Sequence, residues 1–84
     1  MTEQELVEMM YKNHKKLLLN MEEAAKEWGS SYSKVSKLFG GKDALPEKFI
    51  LDNKIVPCWT MLGTKRMWKL IDIAKWILNT EEIL

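Results

Sequence analysis

At 84 residues the chain has room for one domain of ordinary size. A chain this short buries only ~60–65% of its unfolded surface, which leaves little space for the substrate pocket of a large enzyme class. Apolar residues at 46% and charged residues at 30% describe a folded soluble domain, and a net charge of +1 names no anionic partner by itself.

Thr2 with Glu5 three positions on is a capping box, which predicts a helix from about Glu3. Leu6, Val7, Met10, Tyr11, His14, Leu17 and Leu18 recur at helical spacing, so an apolar face is expected to about Leu18. His14 is read as a structural histidine on that face, because no Cys, Asp or second His lies at a matching offset. Asn20 and Glu23 repeat the capping signature and open a second helix, Met21 to Trp28, with Met21, Ala24, Ala25 and Trp28 inward. Gly29 ends it in the left-handed conformation that glycine adopts without strain. Ser30 or Ser31 caps a third helix from about Tyr32 to Phe39, with Val35, Leu38 and Phe39 inward and Gly40-Gly41 as its stop. Two short helices joined by a three-residue turn containing Gly form a helix-turn-helix pattern.

Beyond it, Pro46 is expected as the first residue of a helical turn that carries Phe49, Ile50 and Leu51 into the core. Asp52-Asn53 signals a turn. Cys58 to Leu62 and Met67 to Ile71 read as two strands of a hairpin turned by Gly63, Thr64, Lys65 and Arg66. From Asp72 the pattern is helical, with Ile73, Trp76 and Ile77 on one side, and the tail Asn79 to Leu84 is expected to fray. Trp28 and Trp76 belong to apolar helical stripes, and Trp59 and Trp68 to opposing strands, so all four are expected to pack and not to stack on bases. Cys58 beside Pro57 is expected as a small buried hydrophobe. The fold class is therefore mainly α with a small β-hairpin, in a single domain over 1–84.

Two blocks of this chain resemble the excisionase/MerR-like winged helix-turn-helix proteins of phages, plasmids and bacterial regulators. The first is Leu19-Asn20-Met21-Glu22-Glu23-Ala24-Ala25, then Gly29-Ser30-Ser31, then Val35 and Leu38. The second is Ile55-Val56-Pro57, Gly63 with Lys65-Arg66, and Asp72-Ile73-Ala74-Lys75-Trp76-Ile77. Together they cover about half of the chain in the family's order. The resemblance implies a winged helix-turn-helix, with helix-turn-helix 19–39, connection 40–56, wing 57–71 and closing helix 72–78, to which the capping and periodicity of 1–18 add an extra N-terminal helix. The connection after Phe39 is longer than the family's, and the first wing strand holds one residue more between Pro57 and Gly63. The N-terminal helix lies outside the resemblance.

The charge distribution agrees with an anionic partner. Residues 1–30 hold six acids against four bases, while 31–42 holds Lys34, Lys37 and Lys42, and 54–71 holds Lys54, Lys65, Arg66 and Lys69, each segment without an acid. A helix that reads the ~12 Å major groove needs an apolar inner face and a short, polar or basic outer face. Ser31, Tyr32, Ser33, Lys34, Ser36 and Lys37 supply that outer face, with hydroxyls and ammonium groups suited to phosphates and base edges. Thr64, Lys65 and Arg66 at the hairpin turn are the expected wing contacts, with Arg66 placed at the tip as the reader of a minor groove. A solvated helix face and a charged hairpin tip are the plain alternatives for the same residues.

The expected function is sequence-specific binding of double-stranded DNA by a small phage or mobile-element protein. The resemblance implies an excisionase, that is a recombination directionality factor that bends DNA and contacts an integrase, or a transcription regulator. A winged-helix adaptor that binds a host or phage protein is the alternative. The apolar stripe of the N-terminal helix either covers the core or meets a second chain, as a homodimer or a cooperative array on DNA. No enzymatic constellation is present: Cys58 has no base near it in sequence, and Gly40-Gly41-Lys42 lacks the spacing of a phosphate loop. No cofactor or metal site is expected. A lone cysteine, the lack of a leader pattern and the lack of a long apolar run point to the cytoplasm and to no membrane partner.

Overall fold

The computed structural model describes residues 2–42 and 44–83, with side chains through Asn79. In chain order the elements are α1 (Glu3–His14), β1 (Leu18–Leu19), α2 (Met21–Glu27), α3 (Tyr32–Phe39), α4 (Glu47–Asp52), β2 (Thr60–Leu62), β3 (Lys65–Lys69) and α5 (Leu70–Ile83). The chain is mainly helical, with a small antiparallel sheet in the order β1-β3-β2. Among the described residues no helix is long and apolar enough to cross a membrane.

The caps fall where the sequence places them. The amide of Glu5 donates to Oγ1 of Thr2 and the amide of Thr2 to the Glu5 carboxylate, so both halves of the box form. Asn20 and Glu23 do the same for α2. Ser31, and not Ser30, caps α3 by accepting from the Lys34 amide.

Helix α1 is shorter than its apolar periodicity predicts. It stops at His14, with Lys15 in the left-handed region at φ 60°. Leu18 and Leu19 then leave the helical path to pair with Lys69 and Trp68. The ladder with β3 buries Leu19 completely, while Leu17, expected on the helix face, is exposed, as is Tyr11. Two contacts pin this corner to α2: His14 Nε2 meets the Glu27 carboxylate, and Lys16 donates to Glu23 at 2.7 Å. The Lys16 ammonium holds the Glu23 carboxyl below its ordinary range, helped by the Asn20 amide and opposed by partial burial. The remaining stripe of α1 is used within the chain: Met10 is buried, and Leu6 and Val7 pack against the same core, with α5 alongside. Of the expected stripe, Leu6, Val7 and Met10 are thus turned to the chain's own core, while Tyr11 and Leu17 stay in solvent.

Trp68 is the centre of the core. It is fully buried, and its Nε1 donates to the Pro57 carbonyl at 2.9 Å, which satisfies the one polar atom of the ring. Trp28, Trp59 and Phe39 surround it at centroid distances of 6.0, 6.3 and 6.4 Å. Trp28 also meets Trp76 at 5.8 Å. The four tryptophans thus pack together, although Trp28, Trp59 and Trp76 keep part of their surface in solvent.

Five further expectations are corrected. Pro46 is the N-cap of α4 and not its first helical residue. Of the three residues expected inside from α4, only Ile50 is buried; Phe49 and Leu51 are exposed, because a helix of six residues presents one narrow face to the core. Cys58 is exposed: Pro57 is buried and Trp59 half-buried, and alternation along extended chain sends the residue between them outward. The strands lie at 60–62 and 65–69, so Leu70 and Ile71 are already helical. Helix α5 continues through the tail expected to fray as far as Ile83, and Leu84 lies outside the described residues.

Candidate nucleic-acid interface

Burial of Val35 fixes the rotation of α3, and everything expected outward follows from it. Ser31, Tyr32, Ser33, Lys34 and Lys37 are exposed, and Ser36 is half-buried. Part of their hydrogen-bonding capacity is already used. Ser31 Oγ caps the helix, and Ser36 Oγ donates to the Ser33 carbonyl at 3.2 Å. Tyr32, Lys34 and Lys37 are left to reach furthest from the helix.

Gly63, at φ +66°, makes the turn between β2 and β3, a conformation that costs an L side chain strain. The register pairs Leu62 with Lys65 and Met61 with Arg66. Thr64 and Lys65 are exposed at the end of the hairpin.

These two elements open on one groove of about 500 Å³. Its walls are Tyr32, Ser36 and Phe39 from α3, and Thr64, Lys65, Arg66 and Met67 from the hairpin. The third wall, Asn20, Met21 and Glu22, is the cap and first turn of α2. Five of the nine expected contact residues therefore meet in one place. Ser33, Lys34 and Lys37 of α3, and its N-cap Ser31, lie outside the groove lining.

Arg66 departs from its expected free position at the wing tip. It is only 24% exposed, and its guanidinium carbon lies 4.2 Å from the centroid of the Phe39 ring. Nη2 donates to the carboxylate of Glu47, on α4. The cause is the two-residue period of β3: Trp68 points into the core, so Arg66 shares its side while Lys65 takes the opposite one. The buried Nε of Arg66 has no hydrogen-bond partner among the described residues.

Sequence reasoning missed Glu47 and the α2 wall. The cap at Asn20 fixes where α2 begins, but nothing local says that its first turn borders α3 and the hairpin. Glu47 stands in the connection, where Pro46 announces a helical turn and nothing announces an ion pair across the fold.

Protein-family models, curated proteins and solved structures were compared with this chain, and none matches it.

Proposed function

We propose that this chain is a small winged helix-turn-helix protein that binds double-stranded DNA sequence-specifically, with α3 in the major groove and the β2–β3 hairpin as the wing. The observation that carries the reading is the shared groove: the exposed side of α3 and the hairpin turn open on one surface. A duplex laid over the groove would meet Tyr32 and Ser36 together with Thr64 and Lys65, with Lys37 on the adjoining exposed face of α3. The element order supports it too. A short strand leads into the helix pair, the hairpin follows, and the first strand closes on it as β1-β3-β2, tying the wing to the segment that starts α2.

Within this reading the protein acts in the cytoplasm as an excisionase-like directionality factor beside an integrase, or as a transcription regulator, of a phage or mobile element. Both roles rest on the resemblance of the helix-turn-helix and wing blocks. Within the same reading the chain binds as a monomer, with Leu6, Val7 and Met10 of α1 used inside it, and any array forms along the DNA.

Fluorescence anisotropy with a random-sequence duplex tests the reading. Binding is expected at low salt and should weaken steeply as salt rises. No binding to any duplex at low salt would overturn it. A protein-binding adaptor would then take its place, a reading favoured by Met61 and Leu62, which are 52% and 61% exposed on the edge strand β2.

A further inference from the structure

Arg66 is engaged before any ligand arrives. Its guanidinium lies on the Phe39 ring, donates to Glu47 and forms part of the groove wall beside Lys65, Thr64 and Tyr32. A carboxylate and a phosphodiester compete for such a group, since each is an anion that accepts from the forked N–H donors. Stacking on Phe39 holds the cation at the wall whichever anion it serves. Glu47 is 56% exposed, so its attraction is screened by solvent and open to exchange. Helix α4 does not depend on the pair alone: Ile50 is buried, and the Lys54 carbonyl just beyond the helix accepts from Trp76 Nε1 at 2.7 Å.

We propose that Glu47 is a built-in competitor for a DNA phosphate, neutralising Arg66 in the free protein until a phosphodiester enters the groove between α3 and the hairpin and takes its place. The proposal rests on the duplex-binding reading above. It gives the long connection a role, because α4 brings to the wing an anion that weakens binding and makes it exchangeable.

The test is a double-mutant cycle of Glu47→Gln and Arg66→Gln, read by anisotropy on one duplex over a salt series, with thermal midpoints measured for all four proteins. Glu47→Gln should tighten binding about 3–10-fold and steepen the salt slope by ~1, as one more uncompensated cation meets a phosphate. In the Arg66→Gln background the same change should do nothing. If Arg66→Gln does not fold, Arg66→Lys serves as the background and the gain should shrink there. Equal tightening in both backgrounds would reduce Glu47 to a general charge effect and overturn the exchange. So would unchanged or weaker binding by Glu47→Gln while the wild type still binds, and either result leaves the DNA reading intact. A wild type that binds no duplex ends the DNA reading and the competitor with it. Inorganic phosphate alone, followed by the Arg66 side-chain NMR signal, should give no saturable shift; saturation would make this a free-phosphate site and overturn the assignment to DNA.

Discussion

Leu19 lies opposite Trp68 across the β1–β3 ladder, and neither residue exposes any surface. This pair takes the chain out of the helical path begun by α1. It also joins the segment before α2 to the centre of the core.

Leu17 and Leu19 therefore differ sharply although two positions separate them. Leu19→Ala should cost about 2–5 kcal/mol, the range for emptying a closed core site. Leu17 is 67% exposed, and Leu17→Ala should stay within about 0.5 kcal/mol of wild type. Denaturant unfolding of both variants measures the contrast, and similar losses would return Leu17 to an apolar helix face.

On α3 the prediction concerns affinity with the fold held constant. Lys34 and Lys37 are exposed and make no ion pair among the described residues. Lys34→Ala and Lys37→Ala should each weaken duplex binding and leave the thermal midpoint nearly unchanged. Unaltered affinity in both would move the contact surface away from α3.

Lys65 faces away from the core side that Arg66 shares with Trp68, and of the two hairpin cations it is the one that makes no ion pair among the described residues. Lys65→Ala should weaken binding to all sequences alike and lower the salt slope by ~1. The loss should be the same factor on A·T-rich and G·C-rich sites, since a phosphate contact carries no base information. Isotherms on two site compositions over a salt series would show it, and an unchanged slope would make the turn a structural element only.

The Lys16–Glu23 contact predicts an acid-dependent term in stability. The Glu23 carboxyl is held below its ordinary value by the Lys16 ammonium, so the folded state binds its proton less readily than the unfolded chain. Its stabilising contribution is complete above the unfolded value and is lost as pH falls through the folded one. Lys16→Ala should therefore destabilise at neutral pH and converge on wild type in acid. Melting curves at both ends of that range provide the check, and a deficit that persists undiminished in acid would assign Lys16 a role other than its charge.

What the sequence by itself determined is what neighbours a few positions apart can settle. Capping pairs three residues apart, a glycine suited to a left-handed turn and helical spacing around Val35 were enough to place α2 and α3 and to orient the exposed face of α3. The hairpin turn was legible for the same reason, since Gly63 and the two flanking apolar runs are local signals. Tertiary structure decided the rest. Leu18 and Leu19 fit a helix as well as a strand, and only the ladder to β3 chooses between them. Which side of β3 faces inward depends on what covers it, and the burial of Trp68 among Trp28, Trp59 and Phe39 turned Arg66 inward with it. The groove likewise needs three segments that are distant in sequence, and Glu47 reaches Arg66 only once α4 is docked. Local propensity carries no information about such partners, because their free energy comes from burial and charge pairing that exist only in the assembled fold.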